Sequence, residues 1–454
     1  MEIPIFEMLS KYVAKGRASF HTPGHKNRAG LLDSLQFLTY DLTELPDTSS
    51  LFSAGSADAI EQAERMAADV FGSELTLFST GGCTLCIQTM LLLSKCQGKR
   101  VLFARNSHIS AVHTAALLGI CPVWIWPSGK NYQITCSDIE KALTSYPDVR
   151  TVFITSPDYY GNIADVRSIA SLCRRKGALL IVDNAHGSHL GAFGMHPLSL
   201  GADMTADSCH KTLPVLTGGA MLHIKNLHKH GIDRSTAKAA MMMFGSTSPS
   251  FPVLASLDIA RDWWWRAGIQ AYQLLAESVE QLANKALKNE IGVLRGKLND
   301  PTRLTLDIGT VGADGVTAAE FFREKGCEPE YSDSRFIVFI ITPFNTPNEL
   351  SRLGEAINQF PIALRRGRFL KRSQSLPNYV DNTPPETVLS PRDALLLPCE
   401  TVNTDSAAGR IAARAVCPCP PGIAAVVPGE KISRDTAEML NLHGFKRLTV
   451  VKTS

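Results

Sequence analysis

Between Leu75 and Ile224 short apolar runs alternate with helical patterns, and this alternation constrains the fold more than any other feature of the chain. Leu75–Phe78, Arg100–Phe103, Pro122–Trp126, Arg150–Thr155, Ala178–Val182, Ala202–Ala206 and Ala220–Ile224 read as strands. Helices separate them, one running through Ile87, Met90 and Leu91, another with a face of Val166, Ile169, Ala170 and Cys173 closed by Gly177. Strands apolar on both faces need cover on both, and parallel neighbours need crossover connections. The expectation is an α/β large domain with a mostly parallel sheet. Ligands of such sheets sit where loops leave the carboxyl ends of the strands. Polar clusters fall at those ends here: Ser79–Cys83, Asn106–His108, Ser156–Gly161, Asp183–His186 and Ser208–Lys211.

A chain of 454 residues exceeds what one core usually organises, and the flanking pattern suggests how it divides. Residues 1–55 hold few regular patterns; His21–Lys26 is turn-rich and Asp41–Ser50 is polar. Ser56 reads as an N-cap before a stripe of Ile60, Ala63, Ala67 and Val70, so the large domain is placed at 56–285, with a helix near Leu257–Leu282. Residues 286–370 read as a smaller α+β domain, with strands at Thr302–Leu306 and Arg335–Ile341. A linker at 371–385, rich in Pro, Asn and Ser, leads to a C-terminal unit at 386–454 that carries the turn Cys417–Gly422.

A net charge of +3 gives no electrostatic reason to expect nucleic acid or an anionic membrane as partner. No apolar run approaches the roughly 18 residues of a membrane span, and the acidic, interrupted N-terminus does not read as a signal peptide. An odd count of 11 cysteines fits a reducing compartment, so a cytoplasmic protein is expected. Cys83-x-x-Cys86 lacks a second pair at zinc spacing, and Cys417-x-Cys419 is too tight to supply one; no metal is expected. Met241–Met243 read as core filling, and Trp263–Trp265 cannot share one helix face.

Asp183 follows a buried apolar strand, and Lys211 follows the next. A carboxylate there is costly unless a cation or donor meets it. An ordinary buried ion pair is one reading. The other is pyridoxal phosphate, which needs an amine for its aldehyde and a carboxylate to keep its pyridine nitrogen protonated. Gly81-Gly82 opens a helix whose N-terminal N–H groups suit a phosphate, although such a pair is also a common turn. Ser208 and His210 flank Cys209 beside Lys211 and are further phosphate donors; His108 follows a strand and is placed to stack on a ring.

Longer motifs carry a family resemblance: HTPGHK at 21–26, SPDYYGNIADV at 156–166, VDNAHGSHLG at 182–191, GADMTADSCHKTLPVLTGG at 201–219, STSPSFPVLASLD at 246–258 and GRIAARAVCPCPPGIAAVVPGE at 409–430. In this order they resemble the ornithine/lysine/arginine decarboxylases, which have the aspartate-aminotransferase-type fold, and most closely the shorter members without an N-terminal receiver-like domain. The resemblance implies that Lys211 carries pyridoxal phosphate as a Schiff base and that Asp183 contacts the pyridine nitrogen. It implies that His108 stacks on the ring with His186 close by, and that Gly82, Cys83, Ser208 and His210 hold the phosphate. Thr247 would reach the phosphate of a neighbouring subunit in a homodimer or higher homo-oligomer, and His25 and Lys26 would lie at the mouth of the site. The chain departs from the family where Gly82 and Cys83 replace Ser or Thr, where Asn184 replaces an acid, where Ile109 replaces a lysine, and where Cys419 replaces a tyrosine.

The implied activity is decarboxylation of a small basic amino acid to its amine, as in polyamine synthesis. An aminotransferase or carbon–carbon lyase of the same fold is the alternative, and a non-catalytic binding homologue a third. Which of lysine, arginine and ornithine is bound stays open. Arg335 is the candidate for the substrate carboxylate; Glu400 and Asp393 are candidates for its distal cation.

Overall fold

The computed structural model describes residues 16–20, 59–96, 98–128, 133–227, 231–365, 367, 384–418 and 422–452. The His21–Lys26 motif, the Ser56 cap, residues 371–383 of the expected linker, and Cys419 lie outside the described residues.

The first described strand, β1 (Ala18–Phe20), lies outside the main sheet. That sheet is built from β2 (Leu75–Ser79), β3 (Arg100–Ala104), β4 (Cys121–Ile125), β5 (Thr151–Thr155), β6 (Leu179–Asp183), β7 (Met204–Asp207) and β8 (Ala220–Ile224), in the order β2-β8-β7-β6-β5-β3-β4. The run from β7 to β4 is parallel, and β8 is antiparallel to both its neighbours. Alternate residues serve opposite faces, as the pleat requires. Val101, Phe103, Phe153 and Ile181 pack beneath the helices Gly82–Leu93 and Ile109–Leu118, whereas Leu102, Val152, Ile154, Leu180 and Val182 pack beneath Val166–Lys176. Both faces are apolar because both are covered. The expected α/β large domain with a mostly parallel sheet is what the structure shows.

Local chemistry sets the helix ends. Asp165 accepts the Ser168 N–H at the start of Val166–Lys176, and Gly177 ends that helix in the left-handed region at φ 67°. The helix expected near Leu257–Leu282 is two helices, Phe251–Trp263 and Ile269–Lys288, joined by a π turn at Trp264–Gly268. A Cβ at Gly268 would lie 2.9 Å from the Trp264 ring, so the turn depends on glycine. Trp265 points away and is 68% exposed, whereas Trp263 and Trp264 both pack on Tyr272, Trp264 also against Phe71. Of the expected methionine core only Met241 is buried; Met242 and Met243 face outward from the end of the helix Arg234–Met242.

A second sheet is antiparallel: β9 (Gly292–Val293), β10 (Arg303–Asp307), β12 (Tyr331–Ser332) and β13 (Phe336–Ile340) lie in the order β12-β13-β10-β9. β1 pairs in parallel with β11 (Cys327–Pro329), so a short piece of the pattern-poor N-terminal segment is a strand beside this unit. The tail adds an antiparallel pair, β14 (Cys399–Asn403) and β15 (Arg447–Val451), over a small core that includes Val416, Val426, Leu440 and Val450.

The tail is fastened to the main sheet by an ion pair buried on both sides. Arg105, just beyond β3, lies 3.0 Å from Glu430 and also donates to the Ala425 carbonyl. Its guanidinium stands over the Trp124 and Trp126 rings. Removing one partner of a buried pair leaves the other charge without compensation. Glu430→Gln is therefore expected to cost about 3 kcal/mol, read as an earlier transition in urea; an unchanged transition would show that the pair does not fasten the tail.

Candidate active site

The strand-end loops enclose a cavity of about 230 Å³ whose lining includes Gly82, Cys83, His108, Asp183, His186, Ser208, His210 and Lys211. The register explains the convergence. Asp183 ends β6 opposite Ala206 of β7, and the chain then turns through the helical turn Cys209–Thr212, which returns Lys211 over the end of β6. Asp183 is buried and accepts the Ala185 N–H at 3.1 Å, with the Cys83 thiol 3.8 Å away. Burial pushes its pKa up to about 6, against the pull of Lys211. Lys211 Nζ lies 2.9 Å from His186 Nε2, and burial moves the lysine pKa below its ordinary value despite the nearby Asp183 carboxylate.

His108 begins the helix Ile109–Leu118, and its Nδ1 accepts the Ser110 N–H at 3.1 Å. The ring is neutral, its pKa lowered to about 4 by burial and then by Lys211. The tail reaches it: Ile109 N–H donates to the Gly422 carbonyl at 2.7 Å, and Ile423 lines the cavity. Gly422 has φ 82°, and a Cβ there would stand 2.9 Å from His108 Nε2. The C-terminal turn thus closes over the histidine of its own chain, a contact the sequence does not announce.

The first turn of Gly82–Leu93 faces the cavity, but the Gly82 N–H is already bonded to the Gly218 carbonyl at 2.8 Å. The N–H groups left for an anion are those of Cys83 and Thr84, together with the helix dipole. Ser208 Oγ and His210 Nδ1 stand 3.3 Å apart on the same side chain cluster as Lys211.

Other expected residues lie elsewhere. Thr247 is exposed and outside the cavity of its own chain. Arg335 binds Asp307 through two nitrogens, at 3.0 and 2.7 Å, away from the cavity. Glu400 pairs with Arg410 in the tail, and Asp393 is bonded to Ser390 at a helix start. None of the three lines the cavity, and two charged groups whose charges act on Lys211 were missed by the sequence reading. Arg303, at the start of β10, is buried with both terminal nitrogens 3.5 Å from His186 Nδ1. Glu330 accepts the Tyr159 hydroxyl at 2.7 Å, and its charge acts on Lys211. Both follow from the second sheet packing on the Ser156–Gly161 loop, and only the pairing of that loop's tyrosines with late acidic residues could have flagged them.

Asn184, where the family has an acid, turns away from the cavity and donates to Asp207 at 2.9 Å. Asp207 also lies 2.8 Å from His196 Nε2. Burial raises the Asp207 pKa, but the His196 and Asn184 contacts more than offset it and hold the carboxyl below its ordinary value. His196, Asp207 and His223 place three potential ligand atoms within 4.8 Å of one another. The Leu198 N–H donates to His196 Nδ1 at 3.3 Å, however, which leaves the ring proton on Nε2 facing Asp207. The geometry is that of a hydrogen-bonded network.

The fold and cavity define the class of protein. L-threonine transaldolase from Pseudomonas fluorescens, solved in an internal aldimine state, superposes over 79% of this chain and 88% of that one at TM-score 0.61 and 13% identity. Constitutive lysine decarboxylase from E. coli superposes over 99% of this chain and 82% of its own, at TM-score 0.73 and 19% identity. Residues 3–297 match the family model described as Orn/Lys/Arg decarboxylase, major domain, and residues 376–448 match Orn/Lys/Arg decarboxylase, C-terminal domain. Arginine decarboxylase of Bacillus subtilis (strain 168) is 31% identical over 98% of this chain and 94% of its own. The chain belongs to the Orn/Lys/Arg decarboxylase family and is an amino acid decarboxylase. Among the described residues no helix is long and apolar enough to cross a membrane.

The raised Asp183 pKa has a measurable sign. Because the fold holds this proton more tightly than an unfolded chain, the carboxylate weakens the cofactor-free fold progressively as pH rises from about 4 to about 6, and the loss is complete above that. Asp183→Asn should raise the melting temperature of the cofactor-free chain at pH 7.5 and do so far less at pH 4. An equal change at both would contradict the burial account.

Proposed function

We propose that this chain decarboxylates a basic amino acid, with arginine the first candidate, using pyridoxal phosphate held in the strand-end cavity. The observation that carries the reading is that the Lys211 amine and the Asp183 carboxylate open into one cavity walled by a neutral histidine. The residues present fit the group: an amine for the aldehyde, an acid for the ring nitrogen, and helix-start N–H groups with Ser208 and His210 for the phosphate. When bound, pyridoxal phosphate supplies a conjugated ring that accepts the electron pair left by departing carbon dioxide.

Each residue then has a task. Lys211 would hold the cofactor through its amine. Asp183 would keep a proton on the ring nitrogen; two unit charges about 3 Å apart at an effective dielectric near 20 attract by roughly 5 kcal/mol before desolvation. His108, which lines the cavity, would lie against the ring face. His186, 2.9 Å from Lys211, forms with it the proton store nearest the reacting carbon. Cys83 and Thr84 contribute backbone donors to the phosphate, with Gly82 shaping the turn. Thr247, exposed on its own chain, is assigned to the phosphate of the neighbouring subunit in a homodimer.

The basic side chain is supported by Glu330, held by Tyr159 and close enough for its charge to act on Lys211. Arginine is put first because the relative at 31% identity bears that name, while the lysine decarboxylase is a more distant likeness. The C-terminal match favours decarboxylation over amino-group transfer by the same fold.

Full-length protein with pyridoxal phosphate should release carbon dioxide and the matching amine from arginine, lysine or ornithine. Amino-group transfer to a keto acid instead would overturn the decarboxylase reading but keep the cofactor; no visible absorbance on adding pyridoxal phosphate would overturn both. Lys211→Ala should abolish turnover with the fold intact, and Asp183→Ala should keep some cofactor while losing most of the rate. Glu330→Gln should raise KM for the preferred substrate about tenfold or more, the cost of one charge-assisted contact. An unchanged KM would remove Glu330 from the substrate site.

A further inference from the structure

The lysine that receives the cofactor is useful only as a free amine, yet the Asp183 and Glu330 charges act on Lys211 in the direction of the ammonium ion. Burial and the Arg303 charge oppose them. The hydrogen bonds around His186 bear on the same balance.

We infer that Arg303 is a positioning residue for Lys211: its guanidinium fixes the His186 proton on Nε2, so that His186 donates to Lys211 and holds it as the neutral amine. A guanidinium has donors and no acceptor. Both terminal nitrogens of Arg303 stand 3.5 Å from His186 Nδ1, in donating geometry, so Nδ1 is the acceptor of the ring. The neutral imidazole then carries its proton on Nε2. Nε2 is 2.9 Å from Lys211 Nζ, and a donor there needs a lone pair opposite. An ammonium group has none; an amine has one. The opposite arrangement, an ammonium donating to Nε2, would put the ring proton on Nδ1 against the guanidinium hydrogens.

Independent features hold the parts in this arrangement. His186 is neutral: burial first, then Lys211 and Arg303, press its pKa well below the ordinary histidine value. Tyr159 packs edge-on against the ring at 4.9 Å between centroids and gives its carbonyl to Arg303 at 3.2 Å. Asp300 lies 3.6 Å from the guanidinium and is itself bonded to His189 and Thr302. Gly161 makes room for the arginine stem, since a Cβ there would come within 2.7 Å of Arg303 Cγ. A residue of the second sheet thereby sets a proton in the loops of the first. The use of that proton in catalysis rests on the role proposed for Lys211; its position does not.

The test reads the amine directly. The full-length, cofactor-free chain is labelled with trace acetic anhydride between pH 6 and 11, and the Lys211 peptide is quantified by mass spectrometry. The wild-type midpoint should fall below the ordinary lysine value of about 10.4. Arg303→Gln should raise it by about 1 pH unit, because both the like charge and the tautomer constraint are lost. His186→Phe, which keeps a ring and removes the donor, should also raise it, and in that background Arg303→Gln should shift it less. A fall in the midpoint for His186→Phe would mean that the ring accepts from an ammonium ion, and would overturn the inference even if Arg303→Gln fails to fold. An equal Arg303→Gln shift in both backgrounds would overturn it too, since the arginine would then act by charge alone. Failure to take up pyridoxal phosphate with these midpoints as expected would overturn the proposed function and leave the inference standing.

Discussion

The structure depends on keeping an amine and a carboxylate together in a place poorly served by water. Either charge alone at the end of a buried strand would be expelled or neutralised. Here Asp183 and Lys211 share the cavity, and the surroundings push the proton affinity of the acid up and that of the amine down. A cationic ring nitrogen and an aldehyde would relieve the cost of this burial by engaging both groups. The sheet makes this possible because β6 and β7 are parallel neighbours, so their ends deliver the acid and the lysine to one side.

Around that pair the chain arranges three supports drawn from distant parts of the sequence. The second sheet contributes Arg303 and, through Tyr159, Glu330. The tail contributes Gly422 and Ile423, which close on His108. Behind Asp183, Asn184 and His196 both bond the Asp207 carboxylate.

Much of this was legible in the sequence because it is local. Apolar runs with turn residues between them mark the strands of the large sheet, and polar clusters at their ends mark Asp183, His186, Ser208, His210 and Lys211. The Gly82 turn was also visible, but not that its N–H is taken by Gly218, because that bond joins segments far apart in the chain. For the same reason Arg303 went unnoticed in favour of Arg335. Both arginines border strands of the small unit, and only the packing of one sheet on the loops of another separates the buried one from the one bound to Asp307. The π turn at Trp264–Gly268 escaped because helical periodicity runs through it nearly unbroken; the glycine facing two indole rings was the available clue. Asn184 looked like a defect until the structure set Asp207 beside it.

The central claim is that Lys211 is the residue that captures the cofactor opposite Asp183. It is tested most directly by incubating the full-length protein with pyridoxal phosphate, reducing with borohydride, and locating the attached group by peptide mass spectrometry. The account predicts a single stoichiometric adduct on Lys211. Attachment spread over surface lysines, with Lys211 unmodified, would contradict it.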